Sequence, residues 1–200
     1  MLIFARHGET IYNLEDRMQG ICDSALTPKG ISQAEELNNH LKKQYASLSF
    51  YISPLGRVRQ TYEIACNGIE SVYTVLPELT EICYGEWEEQ KKEDLKKNPL
   101  WEVKMRDRFN FVHPGIYKDK KGESYKQLYQ RIETLLNDLL HQANDKNIVI
   151  IAHIGVMRCV YKFFNKASDS DAGNKNIPNN EIFLIDKNKD SGYSINSVLL

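Results

Sequence analysis

Apolar residues in this chain fall into two kinds of run: short unbroken blocks, and longer stretches in which they recur at helical spacing. Met1-Leu2-Ile3-Phe4-Ala5 is a block of strand length and predicts a short, fully buried strand. A polar, glycine-containing loop follows to about Leu26. Thr27-Pro28 predicts a helix start, with Thr as N-cap and Pro at the first helical position. The spacing of Ile31, Ala34, Leu37 and Leu41 assigns those four to its inward face. Leu48 to Ile52 is the next strand candidate, ended by Ser53-Pro54. A helix from about Leu55 to Asn67 follows and stops at Gly68.

The middle of the chain has a different texture. Glu88 to Lys97 is densely charged and reads as a solvated helix face. Trp101, Met105 and Phe109 form a sparse apolar set, in which Trp101 and Phe109 suit either a lid over a substrate or core packing. Short helices and loops are expected there, as an insertion at about 86–122 over one end of a sheet, with Lys118 to Gly122 a polar loop. A strong amphipathic helix is predicted from about Ser124 to Gln142, with Leu128, Ile132, Leu135, Leu136 and Leu139 inward. Asn147 to Ala152 is the clearest central strand, unbroken and β-branched. A helix from about Val156 to Asn165, a polar loop from Ser168 to Asn180, and strands at Ile182 to Ile185 and Tyr193 to Val198 complete the reading, the last at an edge.

Strands alternating with helices imply an α/β fold, a three-layer sandwich with a mostly parallel central sheet. With no repeat and no linker, residues 1–200 read as one domain. In such sheets ligands sit beyond the carboxyl ends of the strands. Arg6-His7, the segment Ser53 to Arg57, and His153 each follow a strand end, so three distant segments can converge on one pocket.

Composition narrows the class. A 42% hydrophobic and 26% charged chain is ordinary for a globular protein. A net charge of -1 gives no basic excess, which argues against nucleic-acid and membrane surfaces as partners. Cys22, Cys66, Cys83 and Cys159 are scattered, with neither Cys-x-x-Cys nor paired His ligands, so a zinc site or redox dithiol is not expected. Their apolar neighbours suggest reduced thiols in a cytoplasmic protein. The opening apolar run stops at Arg6, too short for a signal segment or a membrane span.

Two guanidiniums and two imidazoles at one point, Arg6, Arg57, His7 and His153, suit a phosphoryl dianion. A neutral histidine can act as nucleophile. No metal-ligand set is evident, so arginine and protonated histidine are left to stabilise the charge, with no cofactor.

These residues resemble the motifs of the histidine phosphatase superfamily, also called phosphoglycerate mutase-like. Arg6-His7-Gly8-Glu9-Thr10 is similar to its leading motif. Leu26-Thr27-Pro28-Lys29-Gly30 with Gln33-Ala34, Ser53-Pro54-Leu55 with Arg57 and Gln60-Thr61, Leu79-Thr80-Glu81-Ile82 with Tyr84-Gly85-Glu86-Trp87-Glu88, and Ala152-His153-Ile154-Gly155 follow in the family's order. The resemblance implies a phosphoglycerate mutase-like fold and a role for each matched residue. His7 would be the nucleophile and form a phosphohistidine, with Gly8 letting a backbone carbonyl orient its ring. Arg6, Arg57 and a protonated His153 would clamp the phosphoryl oxygens. Asn13 and the Ile154 amide would add donors, and Gln19-Gly20 would line the phosphate site. Glu81 would be the general acid and base.

The same resemblance implies a metal-independent phosphomonoesterase acting on a small phosphorylated metabolite. Tyr12 to Gly20, with its Gln19-Gly20, and the Glu81-Ile82-x-Tyr84-Gly85-x-Trp87-Glu88 form are similar to the phosphatase branch. Broad-specificity and α-ribazole-5'-phosphate phosphatases are matched equally. A phosphoglycerate mutase and a non-catalytic phosphate-binding module remain as alternatives, because fold alone does not separate them.

Overall fold

The structure is a computed structural model that describes residues 1–143, 146–188 and 192–200. Strand β1 (Leu2–Arg6) leads through a one-turn helix α1 (Ile11–Leu14) to α2 (Pro28–Gln44) and β2 (Ser47–Ile52). Helix α3 (Gly56–Ala65) connects to β3 (Glu70–Val75). Short helices α4 (Lys92–Leu95) and α5 (Pro99–Arg106) precede a small hairpin, β4 (Ile116–Tyr117) and β5 (Lys120–Lys121). Then come α6 (Tyr125–Gln142), β6 (Ile148–Ala152), α7 (Ile154–Asn165), α8 (Asp169–Asn174), β7 (Glu181–Asn188) and β8 (Gly192–Leu199).

The main sheet has the order β3-β2-β6-β1-β7-β8. β3, β2, β6 and β1 run parallel, and β7 and β8 close one side by antiparallel pairing. Why β1 and β6 are unbroken apolar blocks is now plain: both faces of each are covered. Leu2, Phe4, Ile148 and Ile150 point into a core shared with Leu128, Ile132 and Leu136 of α6 and Val156 and Val160 of α7. Ile3, Ala5, Val149 and Ile151 alternate to the other face, against Leu37 and Leu41 of α2 and Val58 and Ala65 of α3. Each of the Val, Leu, Ile and Phe side chains among them contributes about 1.5–3 kcal/mol by leaving water. The three-layer expectation holds, and among the described residues no helix is long and apolar enough to cross a membrane.

Several local expectations hold in atomic detail. The Thr27 side chain accepts from the Gly30 amide with Pro28 at the helix start, and Ser124 forms a reciprocal capping box with Gln127. β8 is the edge strand that the pattern predicts. Others need correction. Ile31 is 42% exposed. The inward face of α2 is Gly30, Ala34, Leu37, Asn38 and Leu41, and Ile31 lies one residue, about 100°, off that stripe. β3 was not predicted. It pairs with β2 on one side only, and its mostly exposed residues supply no buried face to detect. The polar stretch from Ser168 contains α8, N-capped by Ser168.

Candidate active site

The β1–β6 ladder continues one residue past β1, because the His7 amide donates to the Ala152 carbonyl at 3.0 Å. The Ser53 amide likewise reaches the Ile151 carbonyl at 3.3 Å. Residues that follow three adjacent strands are therefore held in register by the sheet itself, and Arg6, His7, Arg57 and His153 do meet at its carboxyl edge.

His7 is buried, and its Nδ1 lies 2.8 Å from the Gly8 carbonyl oxygen. A carbonyl only accepts, so Nδ1 carries the proton and Nε2 the lone pair. Burial first, then the positive charges of Arg57 and Arg6, hold its pKa well below the ordinary histidine value. His7 is thus neutral at pH 7, in the tautomer that leaves Nε2 able to attack an electrophile.

Arg57 is only 1% exposed and uses all five of its N–H donors. Nη1 donates to the Cys22 carbonyl at 2.7 Å and to Asp23 Oδ1 at 3.2 Å. Nη2 donates to the Gly20 carbonyl at 2.7 Å and to His153 Nδ1 at 3.1 Å, while Nε donates to His7 Nε2 at 3.2 Å. The fork of Nε and Nη2, an edge that matches two phosphate oxygens, therefore faces the two imidazoles. Two structural devices aim it. Asp23 accepts from the Gly56 and Arg57 amides and so caps α3, whose own N-cap position is Leu55. Glu88 accepts from the amides of Tyr84, Ile21 and Cys22, which turns the 20–22 carbonyls toward Arg57. Gly20 sits at φ +48°, and a Cβ there would collide with the Glu88 carboxylate.

The other expected residues divide. Glu81 is buried, taking the Ile82 amide on Oε1 at 2.9 Å and the Gly155 amide, in the first turn of α7, on Oε2 at 3.0 Å. A side chain at Gly155 would strike Oε1, so glycine is required for this approach. Arg6 donates to the Ile177 carbonyl at 2.8 Å, and its Nε is buried without a partner. Burial lowers its pKa to about 10, against the opposing pull of Glu81, so it stays charged. Asn13 lines the cavity, but its Oδ1 accepts from the Thr10 amide in the α1 capping box, leaving its NH₂ as the available donor. Ile154 is the first residue of α7 and also lines the cavity. Gln19 lines it too, yet both ends of its amide are engaged, with Thr10 Oγ1 and Ser24 Oγ. The Gly20 carbonyl serves Arg57. Without a ligand, His153 is neutral. Arg57 donates to its Nδ1, and burial followed by the charge of Arg57 keeps its pKa well below the ordinary value.

The cavity measures about 370 Å³, and its far wall is one that the sequence reading missed. Lys104, Arg108 and Arg158 line that wall with Tyr125 and Trp101, and Arg17, Lys92 and Lys96 lie further round. Eight Arg and Lys residues line the cavity against one carboxylate, Glu81, in a chain whose net charge is -1. Local charge is thus concentrated as an anionic ligand requires. Arg158 is held by the Tyr125 hydroxyl at 2.7 Å and the Lys175 carbonyl at 3.0 Å. Arg108 Nε is buried without a partner. Lys104 Nζ lies 4.2 Å from the Trp101 ring centroid and 5.6 Å from that of Trp87. Burial, then repulsion from Arg108, Lys92 and Arg158, brings the Lys104 pKa down to about 7. The charge run is mostly solvated as expected, with Glu89, Lys91, Glu93, Asp94, Lys96 and Lys97 exposed, but Glu88 is buried, and Lys92 and Lys96 also line the cavity. Trp101 also lines it, whereas Phe109 belongs to the core.

Comparison with known proteins agrees with this geometry. Residues 2–196 match the sequence model of the histidine phosphatase superfamily (branch 1). The rat 6-phosphofructo-2-kinase/fructose-2,6-bisphosphatase 1 is 34% identical over 170 residues, covering 84% of this chain and 33% of that protein. This chain therefore spans about a third of the length of that curated relative. Among solved structures, a phosphoserine phosphatase from Entamoeba histolytica, in complex with 3-phosphoglyceric acid, superposes with a TM-score of 0.78 at 26% identity, covering 97% of this chain and 93% of that one. The α-ribazole phosphatase of Shigella flexneri gives 0.81 at 24% identity, covering 99% and 95%, and shows the shared fold.

Proposed function

We propose, from the premise that this chain belongs to branch 1 of the histidine phosphatase superfamily, that it is a metal-independent phosphomonoesterase working through a phosphohistidine on His7. The observation that carries the reading is the Arg57 fork aimed at the lone pair of a neutral His7. A phosphoryl group that takes over this fork lies beside Nε2, and the ring attacks phosphorus in line with the departing oxygen. Arg6 and Arg57 offset the charge on the equatorial oxygens, and His153, protonated once the dianion is beside it, donates from Nδ1. Glu81 gives its proton to the leaving oxygen and then takes one from the water that cleaves the phosphohistidine. The positive charge needed is present in these side chains, so no metal step is invoked. The four cysteines are free thiols, which fits a reducing, cytoplasmic setting.

The far wall sharpens the substrate class. Lys104, Arg108 and Arg158 suit a second anionic group on the same small molecule, a phosphate or a carboxylate. Two of the relatives act, by name, on a sugar bisphosphate and on phosphoserine, both of which carry such a group. The test is turnover of p-nitrophenyl phosphate, a sugar monophosphate and a sugar bisphosphate in EDTA, with His7→Ala as control. The expected result is EDTA-resistant turnover, preference for the bisphosphate in kcat/KM, and a loss of about 10⁴-fold or more in the variant. Turnover that survives His7→Ala would sink the mechanism. Isomerisation of a phosphoglycerate without net hydrolysis would move the reading to a mutase.

A further inference from the structure

Ser53 has no role in the reaction as described, yet it is fully buried against a group that does. Its Oγ lies 2.8 Å from Nε2 of His153, and both residues are 0% exposed, so no solvent can substitute for this contact. The other nitrogen of the ring settles the direction of the bond. A guanidinium N–H only donates, so His153 Nδ1 accepts from Arg57 Nη2. The single ring proton of neutral His153 is then on Nε2, which donates to Ser53 Oγ.

We infer that Ser53 is a positioning residue that fixes the tautomer of His153 and so reserves Nδ1 for the transferring phosphoryl group. The inference rests on the phosphoryl-transfer reading above. When the phosphoryl oxygens take the Arg57 fork, Nδ1 is released and accepts the proton of the entering phosphate monoanion, which leaves the dianion beside the imidazolium. The imidazolium then has two N–H groups, one donating to phosphoryl oxygen and one still donating to Ser53. Ser53 accepts the same proton in both states, so the ring need not turn over during the reaction. The serine is itself held, by its amide on Ile151 and by Pro54, which follows and restricts its backbone. Removing Oγ leaves a buried N–H without a partner and weakens the charged form most, since bonds to charged groups are the stronger ones.

The experiment compares Ser53→Ala and Ser53→Thr in the full chain, after urea unfolding has shown both to be folded. Ser53→Ala is expected to lower kcat about 10- to 100-fold, by the loss of one hydrogen bond to a charged group. It should also move the alkaline limb of the kcat profile to lower pH, and Ser53→Thr should restore both. Nitrogen-15 histidine spectra of the wild type, without added phosphate, should show His153 protonated on Nε2 and His7 on Nδ1. A Nδ1-protonated His153, or a Ser53→Ala profile that keeps its pH limbs and loses only stability, overturns the inference. The spectra need no turnover, so they decide it even where Ser53→Ala does not fold. Survival of turnover in His7→Ala would instead strike at the phosphohistidine reading, and the tautomer result would stand apart from it.

Discussion

The two ends of the cavity are built on opposite plans. At the phosphoryl end, His7, Arg57 and His153 follow strands at the centre of the sheet, and every donor of Arg57 is committed before a substrate arrives. At the far end, Lys104 lies on α5 and Arg108 just after it, Arg108 Nε is buried without a partner, and Lys104 has two indole faces where a carboxylate would be the usual companion. A saturated site loses little freedom on binding and suits chemistry that tolerates no misplacement. A site of buried, unsatisfied cations gains most when an anion reaches it, which suits recognition. The difference predicts that damage at one end appears in kcat and damage at the other in KM.

The hardest break is at Glu81. Glu81→Gln keeps the size but only one of the two backbone hydrogen bonds, since its NH₂ cannot accept, and it cannot cycle a proton. The kcat on an alkyl phosphate is expected to fall by about 10²–10⁴-fold. p-Nitrophenyl phosphate, whose leaving group needs little protonation, should lose far less in the phosphorylation step. Equal losses on both substrates would remove Glu81 from the role of acid. Lys104→Met tests the other end. KM for a bisphosphate should rise about tenfold or more, the value of one charge-assisted contact, with kcat and the p-nitrophenyl phosphate kinetics unchanged. The same variant should equal or exceed the wild type in stability, because it removes a buried charge that has no carboxylate partner among the described residues. A fall in kcat on both substrates would show the two ends to be one unit.

How much of this was legible in the sequence follows the same division. His7 and His153 could be placed because unbroken apolar blocks mark central strands, and a polar residue just after such a block has one place to go, while Arg57 could be placed through the helix start that follows the next strand. The far wall could not. Lys92, Lys96, Lys104 and Arg108 have the composition of a surface helix; tertiary packing buries Lys104 and sets the other three along the cavity. Glu88 shows the same limit: nothing in a charged run announces that one carboxylate will collect three backbone amides. Ile177 and Asn179, which hold Arg6 and the His7 carbonyl, come from a polar segment whose path depends on the finished fold. β3 shows a weaker signal that was present, since Val72, Tyr73, Thr74 and Val75 are strand formers, but an edge strand exposed on both faces lacks the alternation that would have flagged it.

The smallest effect is the most particular to this chain. Arg108, Lys92 and Arg158 all repel the Lys104 ammonium, and burial adds to them, while the face of Trp101 at 4.2 Å works the other way. The net pKa of about 7 leaves Lys104 charged in acid and neutral in mild alkali. An anion bound beside it favours the charged form, so binding at the far end weakens as pH rises through 7 in the free enzyme. kcat/KM for a bisphosphate should therefore fall severalfold relative to a monophosphate between about pH 6 and pH 8, and the ratio cancels the titration of the shared phosphoryl end. Lys104→Arg should flatten that ratio, because a guanidinium remains charged across the range. A ratio that is already flat in the wild type would mean that Lys104 does not touch the second anion, and the selectivity would then rest on Arg108 and Arg158.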